Sequence, residues 1–179
     1  MHGIAQGPPP APTPEEADPD WGPLLQRFVA CVCAELTAAG RPACACCLVW
    51  DDAIPSADFC DCDCVDGHGQ AWVRVRGWQP ADSGSRGATR RCQPWRTEVE
   101  LEAGVYRCVP VVAEDGESAP SCADRSDSAW GFIADTRALR TAASCCHALA
   151  GHPVRFDYAG PTPVKGGCAG ALVQFTVEL

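Results

Sequence analysis

The sequence predicts an α+β fold: a central, mainly antiparallel sheet flanked by two principal helices. Three observations carry this. Two segments place apolar residues at helical spacing, five shorter ones show strand patterning, and their order is helix, three strands, helix, two strands. Apolar residues make up 46% of 179 residues, enough for one domain with a real core.

Residues 1–20, MHGIAQGPPPAPTPEEADPD, are dominated by proline and acid and predict an extended or flexible arm. They have neither a basic n-region nor an apolar h-region, so no signal peptide is read there and synthesis in the cytosol is expected. Residues 21–179 read as a single domain. Its first helix is predicted over 21–39, with Leu25, Phe28, Val29, Val32 and Leu36 on one face. Asp20 is the expected cap, Pro23 lies in the first turn, and Gly40 with Pro42 supplies the stop.

CCLVW at 46–50 reads as a short strand. QAWVRVRGW at 70–78 alternates Val73 and Val75 against Trp72, Arg74, Arg76 and Trp78. A loop rich in Gly, Ser and Arg follows at 80–94. TEVELEAGVYRC at 97–108 then sets Val99, Leu101, Ala103 and Val105 against Glu98, Glu100 and Glu102, a half-buried antiparallel pattern. A long helix is predicted from about Ser121 to Ala150, entered by a capping box of Ser121 with Asp124. Phe132, Leu139, Ala143 and Cys146 form its apolar stripe, Gly131 weakens it, and Gly151 with Pro153 ends it. The closing strands are 153–158, with Val154, Phe156 and Tyr158 on one face, and 171–179, with Ala171, Val173, Phe175 and Val177. The linker AGPTPVKGGCAG between them suits a bulged hairpin loop better than a tight turn.

Several function classes find no support. Fourteen basic against 23 acidic residues leave a net charge of −9, which argues against phosphate-backbone binding as the main task. No run of 18 apolar residues predicts a membrane span. There is no G-x-S-x-G, no P-loop, and no G-x-G-x-x-G after a strand. Of the four histidines, His147 points about 100° away from its helix neighbour Cys146, so the two do not form a dyad. His152 before Pro153 reads as a surface turn residue. No catalytic residue and no enzymatic activity are expected.

The 14 cysteines are the exceptional feature, six of them between Cys44 and Cys64. Cys44-x2-Cys47 has the inner spacing of half a zinc site, and Cys60, Cys62, Cys64 and His68 would supply the other half. Against zinc, Cys-x-Cys-x-Cys in extended chain puts three thiols on one face, and Asp61, Asp63 and Asp66 crowd negative charge around them. Zinc therefore ranks second, and no cofactor is favoured. A cross-linked or thiol-rich loop packed near the sheet ranks first. Cys92, Cys108, Cys122 and Cys168 are isolated singles suited to pairing, whereas Cys31, Cys33, Cys145 and Cys146 are expected to be small buried helix residues.

The charged strand faces are candidate interaction surfaces. Arg74 and Arg76 would pair with Glu98, Glu100 and Glu102 in a solvent-side ladder if their strands neighbour each other in one subunit. On opposite flanks, the same charges would suit head-to-tail contact between copies. Trp72 and Trp78 favour a face that meets a partner.

FVACVCAELTAAGRPACACCLVW, CDCDCVDGHGQAWVRVRGW, VELEAGVYRCVPV and GGCAGALVQFTVEL, in that order over residues 21–179, resemble the tail terminator proteins of siphophages infecting actinobacteria. The most specific pieces are D-C-D-C leading into AWVRV, and G-G-C-A-G before the last strand; neither is a catalytic motif. The resemblance implies a central sheet flanked by helices and assembly as a ring, most often a hexamer. The ring would sit on the head-proximal end of the tail tube, stop its polymerisation, and dock head-completion proteins. It would be assembled in the host cytoplasm and reside in the virion, with DNA only passing through its lumen. Arg86, Arg90 and Arg91 would line that lumen or reach toward the tube. The Pro-rich arm departs from the compact family pattern. A head-to-tail stopper or other neck connector is the nearest alternative, followed by a zinc-binding interaction module and then a secreted disulfide-rich binder.

Overall fold

In the computed structural model, which describes residues 10–50, 60, 64, 68–80, 97–112 and 119–178, the α+β expectation holds. A helical turn, α1 (Pro14–Ala17), precedes the helix α2 (Trp21–Ala38). Three strands follow, β1 (Ala45–Val49), β2 (Gln70–Pro80) and β3 (Thr97–Cys108). The helix α3 (Cys122–Cys145), a 3-10 turn at His147–Leu149, and the hairpin of β4 (Val154–Lys165) and β5 (Cys168–Glu178) complete the chain. The strands form one sheet in the order β1-β2-β3-β5-β4, parallel at β1–β2 and antiparallel elsewhere.

Both long helices lie on one face of this sheet, because only that face is apolar throughout. Val73 and Val75, the Val99–Val105 alternation, and Ala171, Val173, Phe175 and Val177 all point toward Phe28, Val32 and Leu36 of α2 and Leu139, Ala142 and Ala143 of α3. Phe28 meets Phe175 edge-on at 5.5 Å. Each fully buried Val, Leu or Phe here contributes about 1.5–3 kcal/mol.

Several local expectations change. Asp20 precedes α2 but makes no side-chain cap. Asp18 does that work: its Oδ1 accepts from the amides of Asp20 and Trp21, each at 2.9 Å. Gly40, at φ +71°, closes the helix as expected, with its amide on Thr37 and that of Arg41 on Leu36. The long helix stops at Cys145 rather than Ala150, since Cys146 turns extended and its side chain accepts from Ala148. The 159–170 linker is strand almost throughout, and the hairpin turn is tight. Gly166 and Gly167, both at positive φ, join Lys165 directly to its partner Cys168, the two-residue geometry that glycine pairs permit. A register shift between Phe156 and Tyr158 puts these two residues out of the shared face that simple alternation predicts.

The capping box at Ser121 and Asp124 is present, and a second joins Thr13 to Glu16 at α1. The Ser121 hydroxyl and then its amide hold the Asp124 carboxyl below its ordinary value. At α1 the Thr13 amide and then its hydroxyl do the same for Glu16. A lowered folded-state pKa gives stabilisation that is complete above the unfolded value and lost as pH falls through the folded one. Amide exchange in the first turns of α1 and α3 is therefore expected to speed up, beyond the intrinsic pH trend, as pH drops below about 4. Ser121→Ala should abolish that extra response at α3 alone.

Candidate functional site

Facing residues on β2 and β3 decide between the two readings of the charged strands. Arg74 stands opposite Glu102, so the charges pair within the subunit. Arg74 Nη2 donates to Glu102 Oε2 at 2.9 Å, and Arg76 Nη1 lies 3.8 Å from the same oxygen. Trp72 Nε1 donates to Oε1 at 3.2 Å, and Gln174 on β5 donates to Oε2 at 2.9 Å. Glu98 accepts from Gln79 at 3.2 Å, while Glu100 is exposed.

The centre of this helix-free face is not solvated, contrary to the ladder expected on the solvent side. Trp72, Arg74, Glu102 and Tyr106 are all buried, and Cys60 packs with Trp72, Tyr106, Cys168 and Leu172. The disulfide between Cys60 and Cys168 fastens Cys60 to β5 against the aromatic pair. Burial raises the Tyr106 phenol above its ordinary value. Trp72 and Tyr106 stack with centroids 4.7 Å apart, and the indole lies over Gly104, where an added methyl would collide with the ring. Gly104→Ala is expected to lose about 1–3 kcal/mol in urea unfolding, as overpacking does. A loss within error would mean that Trp72 shifts freely.

Trp78 does not share the Trp72 face. The ladder slips between Val75 and Gly77, and this bulge at Arg76 reverses the alternation. Trp78 consequently lies on the helix side, 5.5 Å from Trp21 and 5.9 Å from Trp50. Arg86, Arg90 and Arg91 lie outside the described residues.

Among the described residues, disulfides join Cys31–Cys146, Cys33–Cys46, Cys44–Cys64 and Cys60–Cys168, and Cys108 is disulfide-bonded as well. Cys44–Cys64 thus cross-links the two ends of the 44–64 segment, and Cys60 within it is tied to β5. Cys60 and Cys64 carry no free thiolate for a metal, Cys62 lies outside the described residues, and His68 is exposed. The expectation for the helix cysteines is corrected: Cys31, Cys33 and Cys146 are bridged, and Cys145 is an exposed thiol. Cys122, expected to pair, is also a free exposed thiol. Helix-to-helix distance, which spacing does not report, brings Cys31 to Cys146 across 115 residues. His152 is half-buried rather than a plain surface residue, with Nδ1 3.2 Å from the Glu178 carbonyl.

A second buried ionic centre was not anticipated. Asp135, fully buried on α3, accepts from Arg41 Nε and Nη2 at 2.9 and 3.0 Å and from Arg107 Nε and Nη2 at 3.2 and 2.9 Å. Arg107 also donates to the carbonyls of Arg41, Pro42 and His68. Gly131, one turn before Asp135, leaves the space that the Arg41 guanidinium occupies. The signals were an acid at helical spacing from Leu139 on the apolar stripe, and an arginine inside the apolar run of β3.

Exposed apolar residues lie at both lateral ends of the sheet, and also at Trp130 on α3 and at Val111 and Val112 after β3. At the β1 end, Leu48, Trp50 and Trp78 face solvent, with Trp50 71% exposed. They border a groove of about 530 Å³ that also includes Pro12, Pro14, Asp18 and Trp21. At the β4 end, a groove of about 830 Å³ runs between α3 and β4, past Phe132, Ile133, Arg137, Arg140 and Pro161. Ile133, Phe156 and Val164 are exposed around it, and Arg140 sits 6.0 Å over the Phe156 ring. The β1 end carries the acids Glu15, Glu16 and Asp18, the β4 end the bases Arg137 and Arg140.

No protein-family model matches the chain, and no curated protein matches it. No helix among the described residues is long and apolar enough to cross a membrane.

Proposed function

We propose that the chain is a structural subunit that associates head-to-tail into a closed ring, and that the ring is a siphophage tail terminator. One observation carries the assembly step. The opposite edges of a single sheet present unlike apolar surfaces with opposite charge, which suits a heterologous contact that closes when the rotation allows. The terminator assignment adds the sequence resemblance over 21–179, the observed order of elements, and the absence of any catalytic signature in the sequence. Disulfides fit a particle that leaves the reducing cytosol. In this role the ring, hexameric by resemblance, caps the tail tube protein and presents its other side to head-completion proteins. DNA meets it only in passage. A stopper ring of the neck is the second reading, separated by whether the chain binds the tube end.

The test uses two charge insertions, Leu48→Glu at the β1 end and Ile133→Glu at the β4 end. Native mass spectrometry and electron microscopy, with and without purified tube protein, are expected to show a closed ring for the parent chain. Each variant alone should stay monomeric, yet their mixture should form a dimer through the one intact pair of ends. A symmetric dimer of either variant alone would refute head-to-tail assembly. Tube lengths unaffected by the parent chain would refute the terminator role.

A further inference from the structure

The two ends of the sheet differ in shape as well as in charge. At the β1 end the apolar surface protrudes. Trp50, the residue after β1, is 71% exposed and leans on Trp78 at 5.9 Å. At the β4 end it is recessed: Phe132 and Ile133 of α3 form one wall of the groove, Gly160 and Pro161 of β4 the other. Its volume of about 830 Å³ lies within the range of pockets that take up ligand-sized groups, so an indole has room there.

Charge matches shape. Arg137 and Arg140 border the groove, are exposed, and are not ion-paired among the described residues. Glu15 and Asp18 flank the protruding end, exposed or half-buried. Strand addition, the other way for two sheet edges to meet, is opposed where the groove lies. A proline in an edge strand has its missing donor on the open side, and β4 carries Pro161 and Pro163. Side chains rather than backbone must then make the contact.

We propose that Trp50 of one copy inserts between α3 and β4 of the next, with Glu15 and Asp18 facing Arg137 and Arg140 at the rim. This contact rests on the head-to-tail reading above and specifies which residue enters which groove. A large aromatic seated in a recess is the form of an interface hot spot, whereas rim charges orient the approach.

Native mass spectrometry of the full chain over a concentration series tests this. Trp50→Ala is expected to weaken subunit association by about thirtyfold or more, the scale for truncating such an anchor. Ser144→Trp fills the groove from an exposed position on its own wall and should be equally defective, although Trp50 is intact. A mixture of the two variants should form a dimer, because one chain keeps the indole and the other keeps the groove. Rings that persist in both variants would overturn this contact and leave the ring reading standing. Loss of the ring in Trp50→Ala with no dimer in the mixture would place Trp50 on another surface and overturn it as well. Unchanged self-association in Ser144→Trp with loss of binding to tube protein would give the groove to that protein instead. A parent chain that forms only monomers or symmetric dimers would remove both readings.

Discussion

Replacing Asp135 with asparagine is expected to cost about 3–5 kcal/mol of folding stability, the scale for breaking a buried ion pair from one side. Asp135 is fully buried and is the shared anion of two guanidinium groups. Asparagine keeps the size but leaves the Arg107 cation, whose side chain is only 5% exposed, without a counter-charge. The centre joins α3 to the end of β3, to the turn after α2, and through Arg107 to the carbonyl of His68 before β2. Its loss should loosen all four together and show as a lower urea midpoint with unchanged slope. Arg41→Met should cost less, since a third of that side chain already meets solvent. A loss below about 1 kcal/mol in D135N, within the range of ordinary substitutions, would show that the site relaxes or admits water.

Removing the bridge between α2 and the end of α3 by Cys31→Ser with Cys146→Ser is the second large effect. The bridge spans 115 residues. Closing so long a loop restricts the unfolded chain enough to contribute about 4–5 kcal/mol, against about 3 for the 13-residue loop of Cys33–Cys46. Both bridges hold α2, so their effects should not add. The expected result is a large drop in urea midpoint for the double variant, followed by a further drop on adding reductant as the other bridges open. Equal midpoints with and without reductant in the parent chain would show that the bridges do not hold the native fold.

The buried pair on the other face acts on register more than on stability. Arg74 faces Glu102, and a one-residue slip would turn Glu102 into the apolar layer now filled by Leu101 and Ala103. Ionic pairs of this kind often contribute little net energy, yet they penalise alternative alignments.

What the sequence by itself determined is the elements and the direction of their apolar faces. Period-two and period-3.6 spacing are local properties, so the α2 face of Phe28, Val32 and Leu36 and the β3 face of Val99, Leu101, Ala103 and Val105 were readable. The same holds for the Ser121 capping box and the Gly40 stop. Only the tertiary structure decided where Trp78 points, because one bulge residue at Arg76 reverses alternation without leaving a clear local signature. It also decided the partners of the cysteines, since pairing depends on distances between elements rather than on spacing. The same limit hid the ionic centre. Arg41, Arg107 and Asp135 are far apart in sequence, and a buried charge becomes tolerable only when folding brings its counter-charges within hydrogen-bond reach.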